Sequence, residues 1–348
     1  MRTRTLTALV CAVSVALAAG VMFNGTAYGE PIQLTYSIFF PATHGHTILA
    51  TEWAREVEKR TNGAVKITMF PGATLTPPDQ CYDGVVKGIS DIGMSVLSYT
   101  KGRFPLCEVI DMPLGYTGGL QATLMANGFY GKFKPKELDD VEVMYLHAHG
   151  PGFFNTKTPV NKMEELKGMK IRCSGTSAKV VKALGATPVA MPQNEAYEAL
   201  SKGVVEGVVS PIEALQGWKF AEVIKSTTRD YGAAYSLGFF VAMNKKKWES
   251  LPKDVQDTIR KVDQEWIEKT GQLWDKIDKA GAAYTLSKGN QIIDLTKEED
   301  ERWAKTVQPV LNDFVKETKA KGLPGDEALK FCLEFLKTSG SGQKTEAR

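Results

Sequence analysis

The sequence predicts an α/β protein of two lobes hinged across a cleft, with one long helix lying over both. Three observations predict it. Strand-like and helix-like patterns alternate from Ile32 onward, which signals mainly parallel sheet with helices on both faces. A buried strand pattern at Tyr235–Asn244 follows a block of such units and reads as a return to the first lobe, so the lobes share more than one crossing. From Pro252 to Leu286, apolar residues at Val255, Ile259, Val262, Trp266, Leu273, Ile277 and Ala280 recur mostly at alternating steps of four and three. At ~1.5 Å per residue that helix is about 50 Å long, more than one lobe is wide.

Each element has its own signal. Ile32–Phe39 alternates as a strand, Pro41–Gly45 breaks it, and Thr47–Arg60 carries Leu49, Trp53 and Val57 at helical spacing up to the stop at Asn62-Gly63. Val65–Phe70 is a second strand. Thr76-Pro77-Pro78-Asp79 predicts a helix start that runs to Gly88, with proline at the first position and an acid in the first turn. Ile89–Val96 is a third strand, a helix begins near Gln121, and Val141–His147 is a strand that reaches a crossing at Gly150-Pro151-Gly152. Beyond it lie the strand ending at Arg172, helices at Lys179–Leu184 and Glu195–Lys202, and the Val204–Ser210 strand. Thr296-x-x-Glu299 predicts a capping box for a helix carrying Trp303, Val307 and Leu311. The division expected is lobe I over 30–150 with 238–276, lobe II over 151–237 with 277–338, and a polar disordered tail over 339–348.

Composition excludes several classes. At 348 residues and 43% hydrophobic content the chain supports two domains without help from oligomers or disulfides, and a monomer is expected. Arg2, Arg4, the apolar run Leu6–Phe23 and small residues near Gly29 read as a secretory signal over residues 1–29. Its removal takes away two arginines and no acid, so the net charge of +3 falls to +1. A near-neutral chain with no basic stripe is not a nucleic-acid binder, and after signal cleavage no direct membrane insertion is expected. Export permits a disulfide, and Cys81 with Cys107 is the pair closest in sequence among the four remaining cysteines. No C-x-x-C spacing occurs, and His44-x-His46 and His147-x-His149 lack supporting ligands, so neither metal nor cofactor is expected.

The stretch with most chemistry runs from Leu166 to Pro211. A turn at Gly168 feeds a short strand that sets Arg172 at its end, ahead of a helix-starting cluster of Ser174, Gly175, Thr176 and Ser177. Open α/β sheets hold ligands at such strand ends, and a planar guanidinium suits a carboxylate, held by two parallel charge-assisted bonds. The ordered series continues through Leu166-Lys167-Gly168-Met169-Lys170-Ile171-Arg172, Ala183-Leu184-Gly185-Ala186-Thr187-Pro188-Val189-Ala190-Met191-Pro192, Glu195, Tyr197, and Gly203-Val204-Val205-Glu206-Gly207 before Ser210-Pro211. This series resembles the solute-binding proteins of tripartite ATP-independent periplasmic (TRAP) transporters.

The resemblance implies a two-lobed periplasmic binding protein fold with a long helix spanning both lobes. It also implies a periplasmic location, no enzymatic activity, and partners consisting of a small organic-acid ligand and the membrane subunits of the transporter. It gives Arg172 the ligand carboxylate, and it places Ser210 where many relatives carry asparagine. Gly152 stands where relatives that bind highly hydroxylated acids carry a second arginine, and Phe153 and Phe154 follow it. That exchange, with Phe39, Tyr99 and Tyr235 at the expected rim, predicts a hydrophobic or aromatic monocarboxylate such as a benzoate or indole acid. Neighbours such as Phe39 and Phe40 are expected to point opposite ways. His44, Ser95, Gly175 and Met191 complete the expected contact set, with His149 near the crossing a weaker member. An aliphatic keto or hydroxy acid or a C4-dicarboxylate is the alternative. An exported enzyme acting on such an acid is the competing class, but no G-x-S-x-G elbow or H-E-x-x-H supports it.

Overall fold

The computed structural model describes residues 30–340, so the signal segment and the end of the expected tail lie outside the described residues. Strand β1 (Ile32–Ile38), helix α1 (Gly45–Arg60), β2 (Val65–Phe70), α2 (Cys81–Val86), β3 (Ile92–Val96), α3 (Gly119–Phe133) and β4 (Val141–Ala148) come first. After Gly150 follow β5 (Gly152–Thr156), β6 (Lys170–Cys173), α4 (Ser177–Ala183), β7 (Thr187–Ala190), α5 (Gln193–Ser201), β8 (Gly207–Pro211), α6 (Ala214–Gly217) and β9 (Ser226–Arg229). The chain then runs through β10 (Gly238–Asn244), α7 (Lys245–Glu249), α8 (Lys253–Ser287), β11 (Gln291–Asp294), α9 (Lys297–Ala320) and α10 (Gly325–Gly340).

Two sheets result. The first has the order β2-β1-β3-β10-β4 and the second β11-β9-β5-β8-β6-β7. The expected parallel pairing holds between β1 and both β2 and β3, and between β6 and both β7 and β8. Strands β10 and β5 instead run antiparallel to both of their neighbours. These are the two strands the chain enters directly after a crossing. A chain that leaves one sheet at its cleft edge enters the other sheet at its cleft edge, so its first strand there runs away from the cleft.

Helix α8 ties the lobes together. It packs on α1, α3 and β4 at one end and on α6 and β11 at the other. Its buried stripe starts as the periodicity predicts, at Val255, Ile259, Val262 and Trp266, and continues through Thr270, Gly271, Trp274 and Gly281 in place of Leu273 and Ile277. Small residues are required there because the helix crosses backbone: a Cβ on Gly281 would lie 2.5 Å from the Ile212 carbonyl oxygen and 2.7 Å from Glu213 Cα. Asp275 accepts from the free N–H groups of Gly119 and Leu120 at the start of α3, and Asp278 accepts from Glu213 N–H at 2.9 Å. One helix thus caps an element of each lobe.

Two local expectations change. Helix α2 begins at Cys81, after a turn in which Gln80 N–H donates to the Pro77 carbonyl, because a residue followed by proline is pushed out of helical geometry and Pro77 precedes Pro78. Thr296 does cap α9 by accepting from Glu299 N–H, but Glu299 does not complete the box; its carboxylate takes the Met163 N–H and the Trp303 indole. The C-terminal helix α10 was not foreseen, although Ala328, Cys332 and Leu336 recur every fourth residue; it packs on α3, where Gln121 donates to the Leu336 carbonyl. Cys81, Cys107, Cys173 and Cys332 are all free and buried, so the bridge that export permits between the first two is not formed.

Candidate functional site

Strand β6 delivers Arg172 to the cleft edge of the second sheet, where its side chain is 2% exposed. Its Nε and Nη2 both donate to the Met191 carbonyl, at 3.0 and 2.8 Å, and Nη1 donates to Gln193 Oε1. A guanidinium has five N–H groups, so one on Nη1 and one on Nη2 are left over, the fork geometry that receives a carboxylate. Among the described residues no carboxylate forms an ion pair with Arg172, and a buried cation without an anion is costly unless a ligand supplies one.

The cavity at this fork measures about 30 Å³ and draws its walls from both lobes: Phe39, Phe40, Tyr99, Phe239 and Trp274 on one side, and Ser210, Glu213, Trp218, Gln193 and Tyr235 with Arg172 on the other. His149, beside the crossing, completes it. That volume holds a water or two, so the lobes are closed and a larger guest requires them to part. Both Phe39 and Phe40 face the cavity, their rings 4.2 Å apart and stacked, because β1 ends at Ile38 and the pleat that would send them to opposite faces has stopped. Phe39 stacks in turn on Trp218 and Phe239, and Phe239 tilts against Trp274.

Ser210, at the end of β8, accepts at Oγ from the Asn155 amide at 3.1 Å, which leaves its hydroxyl proton to donate. Tyr99 holds the start of α5 by accepting from Gln193 N–H at 3.1 Å, joining the lobes across the seam. Tyr235 lies over Gly152: the Gly152 N–H donates to the Tyr235 carbonyl at 2.8 Å, and a Cβ on Gly152 would stand 2.3 Å from the tyrosine ring. An arginine at that position has no room unless Tyr235 leaves. Met191 meets Arg172 through its carbonyl, and with Gly175 its side chain borders a separate, larger compartment of about 540 Å³ on the far side of Tyr99.

Three expected contacts are used elsewhere. Ser95 spends its hydroxyl on the Pro78 carbonyl at 2.7 Å and lines neither cavity. Phe153 is buried against Tyr231 within the second lobe, 5.1 Å between ring centroids. His44 caps α1: its Nδ1 accepts from His46 N–H, so the ring proton is on Nε2, which donates to Glu213 Oε2 at 3.1 Å and bridges the lobes. Gln193, Glu213, Trp218 and Trp274 were missed, because each is a residue type common elsewhere on a helix or at its end.

Burial keeps His46, His147 and His149 neutral. It lowers His147 to about 3, with His149 adding to the effect, and it lowers His149 to about 4, where the Arg172 charge acts in the same direction. Burial also holds His46 well below its ordinary value, helped by the neighbouring histidines. The His46 and His147 rings stack face to face at 5.3 Å, and among the described residues no group of three or more His, Cys, Asp or Glu is placed to hold a metal.

The family model described as DctP, bacterial extracellular solute-binding protein, family 7, matches residues 37–318. The chain belongs to this family. Members are solute-binding proteins and not enzymes, and the chain is a TRAP-type solute receptor, a family that implies membrane subunits as partners. The chain is 28% identical over 306 residues to a solute-binding protein of Albidiferax ferrireducens, covering 82% of this chain and 88% of that protein. A marine metagenome TRAP protein specific for aromatic acid ligands, solved with 3-hydroxybenzoate, superposes with a TM-score of 0.85 at 28% identity over 89% of this chain and 99% of that one. A TRAP protein of Bordetella bronchiseptica with bound mandelate superposes at 0.82 with 30% identity over 88% and 99%. Among the described residues no helix is long and apolar enough to cross a membrane.

Proposed function

We propose that this receptor captures a hydrophobic or aromatic monocarboxylate, of benzoate or indole type, between its lobes and delivers it to a membrane permease from the periplasm. The observation that carries the reading is the buried Arg172 fork, free of any carboxylate among the described residues and facing a wall of aromatic rings. Arg172 receives the headgroup, Ser210 and the indole of Trp218 offer further donors, and Phe39, Phe40, Tyr99, Phe239 and Trp274 enclose the apolar body. Two relatives with aromatic acids in their structures support the choice of body. A C4-dicarboxylate is disfavoured: among the described residues Arg172 is the one cation lining the cavity, and Tyr235 fills the space above Gly152.

A melting-temperature screen over aromatic, aliphatic, keto and C4-dicarboxylic acids tests this. Aromatic monocarboxylates should give the largest rise. A larger rise with succinate or malate than with any aromatic acid would overturn the choice of ligand class.

A further inference from the structure

His149 carries one feature that binding a bare carboxylate does not use. Its ring is 1% exposed and faces the same cavity as Arg172, Ser210 and Tyr235. Nδ1 contacts the carbonyl oxygen of Gly150. A carbonyl only accepts, so Nδ1 holds the ring proton and Nε2 presents a lone pair. That Nε2 is buried and has no hydrogen-bond partner among the described residues. The other buried polar atom at the cavity without a partner is a donor, the Trp218 indole Nε1–H, and two Arg172 N–H groups are also left over. One buried acceptor therefore stands among donors, beside the place where a carboxylate docks.

A carboxylate oxygen turned toward His149 would set lone pair against lone pair, and so would a ketone oxygen at the adjacent carbon. A ligand ammonium would supply a proton but would sit beside the Arg172 charge. A hydroxyl on the carbon next to the carboxylate supplies the proton without the charge. Resting on the carboxylate reading above, we propose that His149 Nε2 is a specificity determinant that accepts a hydrogen bond from the 2-hydroxyl of a 2-hydroxy acid held by Arg172. Burial keeps the imidazole neutral through the physiological range, with the Arg172 charge opposing protonation as well, so the acceptor persists. The edge-to-face contact of His149 with Tyr235, 5.5 Å between centroids, fixes the ring plane.

The test compares three acids that differ at one carbon: mandelate (hydroxyl, both enantiomers), phenylacetate (hydrogen) and phenylglyoxylate (ketone), with lactate, propionate and pyruvate as the small-bodied set. Isothermal titration of the wild-type protein should rank hydroxy above unsubstituted above keto in at least one set, with one hydroxy enantiomer at least tenfold tighter than the keto acid. His149→Phe should bring the hydroxy-to-keto ratio to near one. O-methylmandelate, which keeps the oxygen and loses the proton, should lose the preference in the wild-type protein, a readout that does not depend on the variant folding. A keto acid bound as tightly as its hydroxy partner, or a ratio that survives His149→Phe, overturns the role of His149 and leaves Arg172 untouched. Binding of none of the six acids overturns the carboxylate reading itself.

Discussion

Replacing Arg172 by methionine separates what the side chain does for a ligand from what it does for the fold. Two N–H groups are left for a carboxylate, and each charge-assisted bond contributes roughly 1.5–3 kcal/mol. Together they supply about 3–6 kcal/mol, or roughly two to four decades in Kd. In the unliganded protein two effects of similar size oppose each other. Burying an ion without a counter-charge costs several kcal/mol, which methionine relieves. The Met191 carbonyl and the Gln193 amide oxygen lose their donors in the same step, at about 1–3 kcal/mol each. At about 2 °C per kcal/mol for a chain of this length, the variant should melt within about 5 °C of the parent. A carboxylate at about 1,000 times the parent's Kd should stabilise the parent by ~4 kcal/mol, a rise of about 8 °C, and the variant by no more than about 1.4 kcal/mol, a rise of about 3 °C or less. Scanning calorimetry gives the melting temperatures and titration calorimetry the affinities. A Kd within tenfold of the parent, or a ligand-induced rise of more than about 5 °C in R172M, would refute the assignment.

Three further outcomes follow from the packing. Gly152→Arg should destabilise by about 1–3 kcal/mol or more through overpacking against Tyr235, and pairing it with Tyr235→Ala should recover most of the loss; thermal melts of the single and double variants decide it. Gly281→Ala should also lower the melting temperature, because the ~1 kcal/mol gained in helix propensity is smaller than the cost of driving a methyl into the Ile212–Glu213 backbone; a neutral result would mean that α8 is free to lift. Asp263, buried beneath Trp53, has its carboxyl pushed up to about 8 by burial, so the folded state holds a proton that the unfolded chain releases. Its contribution is complete below about pH 4 and is lost as pH rises toward 8. The melting temperature of Asp263→Asn relative to the parent should therefore climb between pH 5 and pH 8, and a constant difference would exclude the raised carboxyl.

Legibility in the sequence followed physical scale. Helix α8 announced itself because a 35-residue amphipathic run has few alternative readings, and β10 did so because Phe239–Met243 is uninterrupted apolar chain. Strand β9, Ser-Thr-Thr-Arg, has no alternation to read, and β7 contains proline, which survives because β7 is an edge strand. In the site, Arg172 stood out through the motif series around it, which resembles that of TRAP solute-binding proteins, more than through its place at a strand end. Trp274 was not: on a helix its position reads as core, and only the return of β10 beside β4 brings it to Phe239 and His147. Gln193 reads as an ordinary polar residue at a helix start until Arg172 and Tyr99 are found on either side of it. His44 was assigned to the ligand for want of its partner, since Glu213 is 169 residues away.

The buried thiols make this receptor convenient to watch. Burial pushes Cys81 and Cys173 up to about 11 and Cys332 to about 12, and Cys107 well above its ordinary value, so a maleimide at neutral pH meets almost no native thiolate. Cysteines introduced at exposed Glu52 on α1 and Glu198 on α5 would then take a fluorophore pair without background labelling. The opening and shutting of the jaws could be followed molecule by molecule, with Cys81, Cys107, Cys173 and Cys332 left in place.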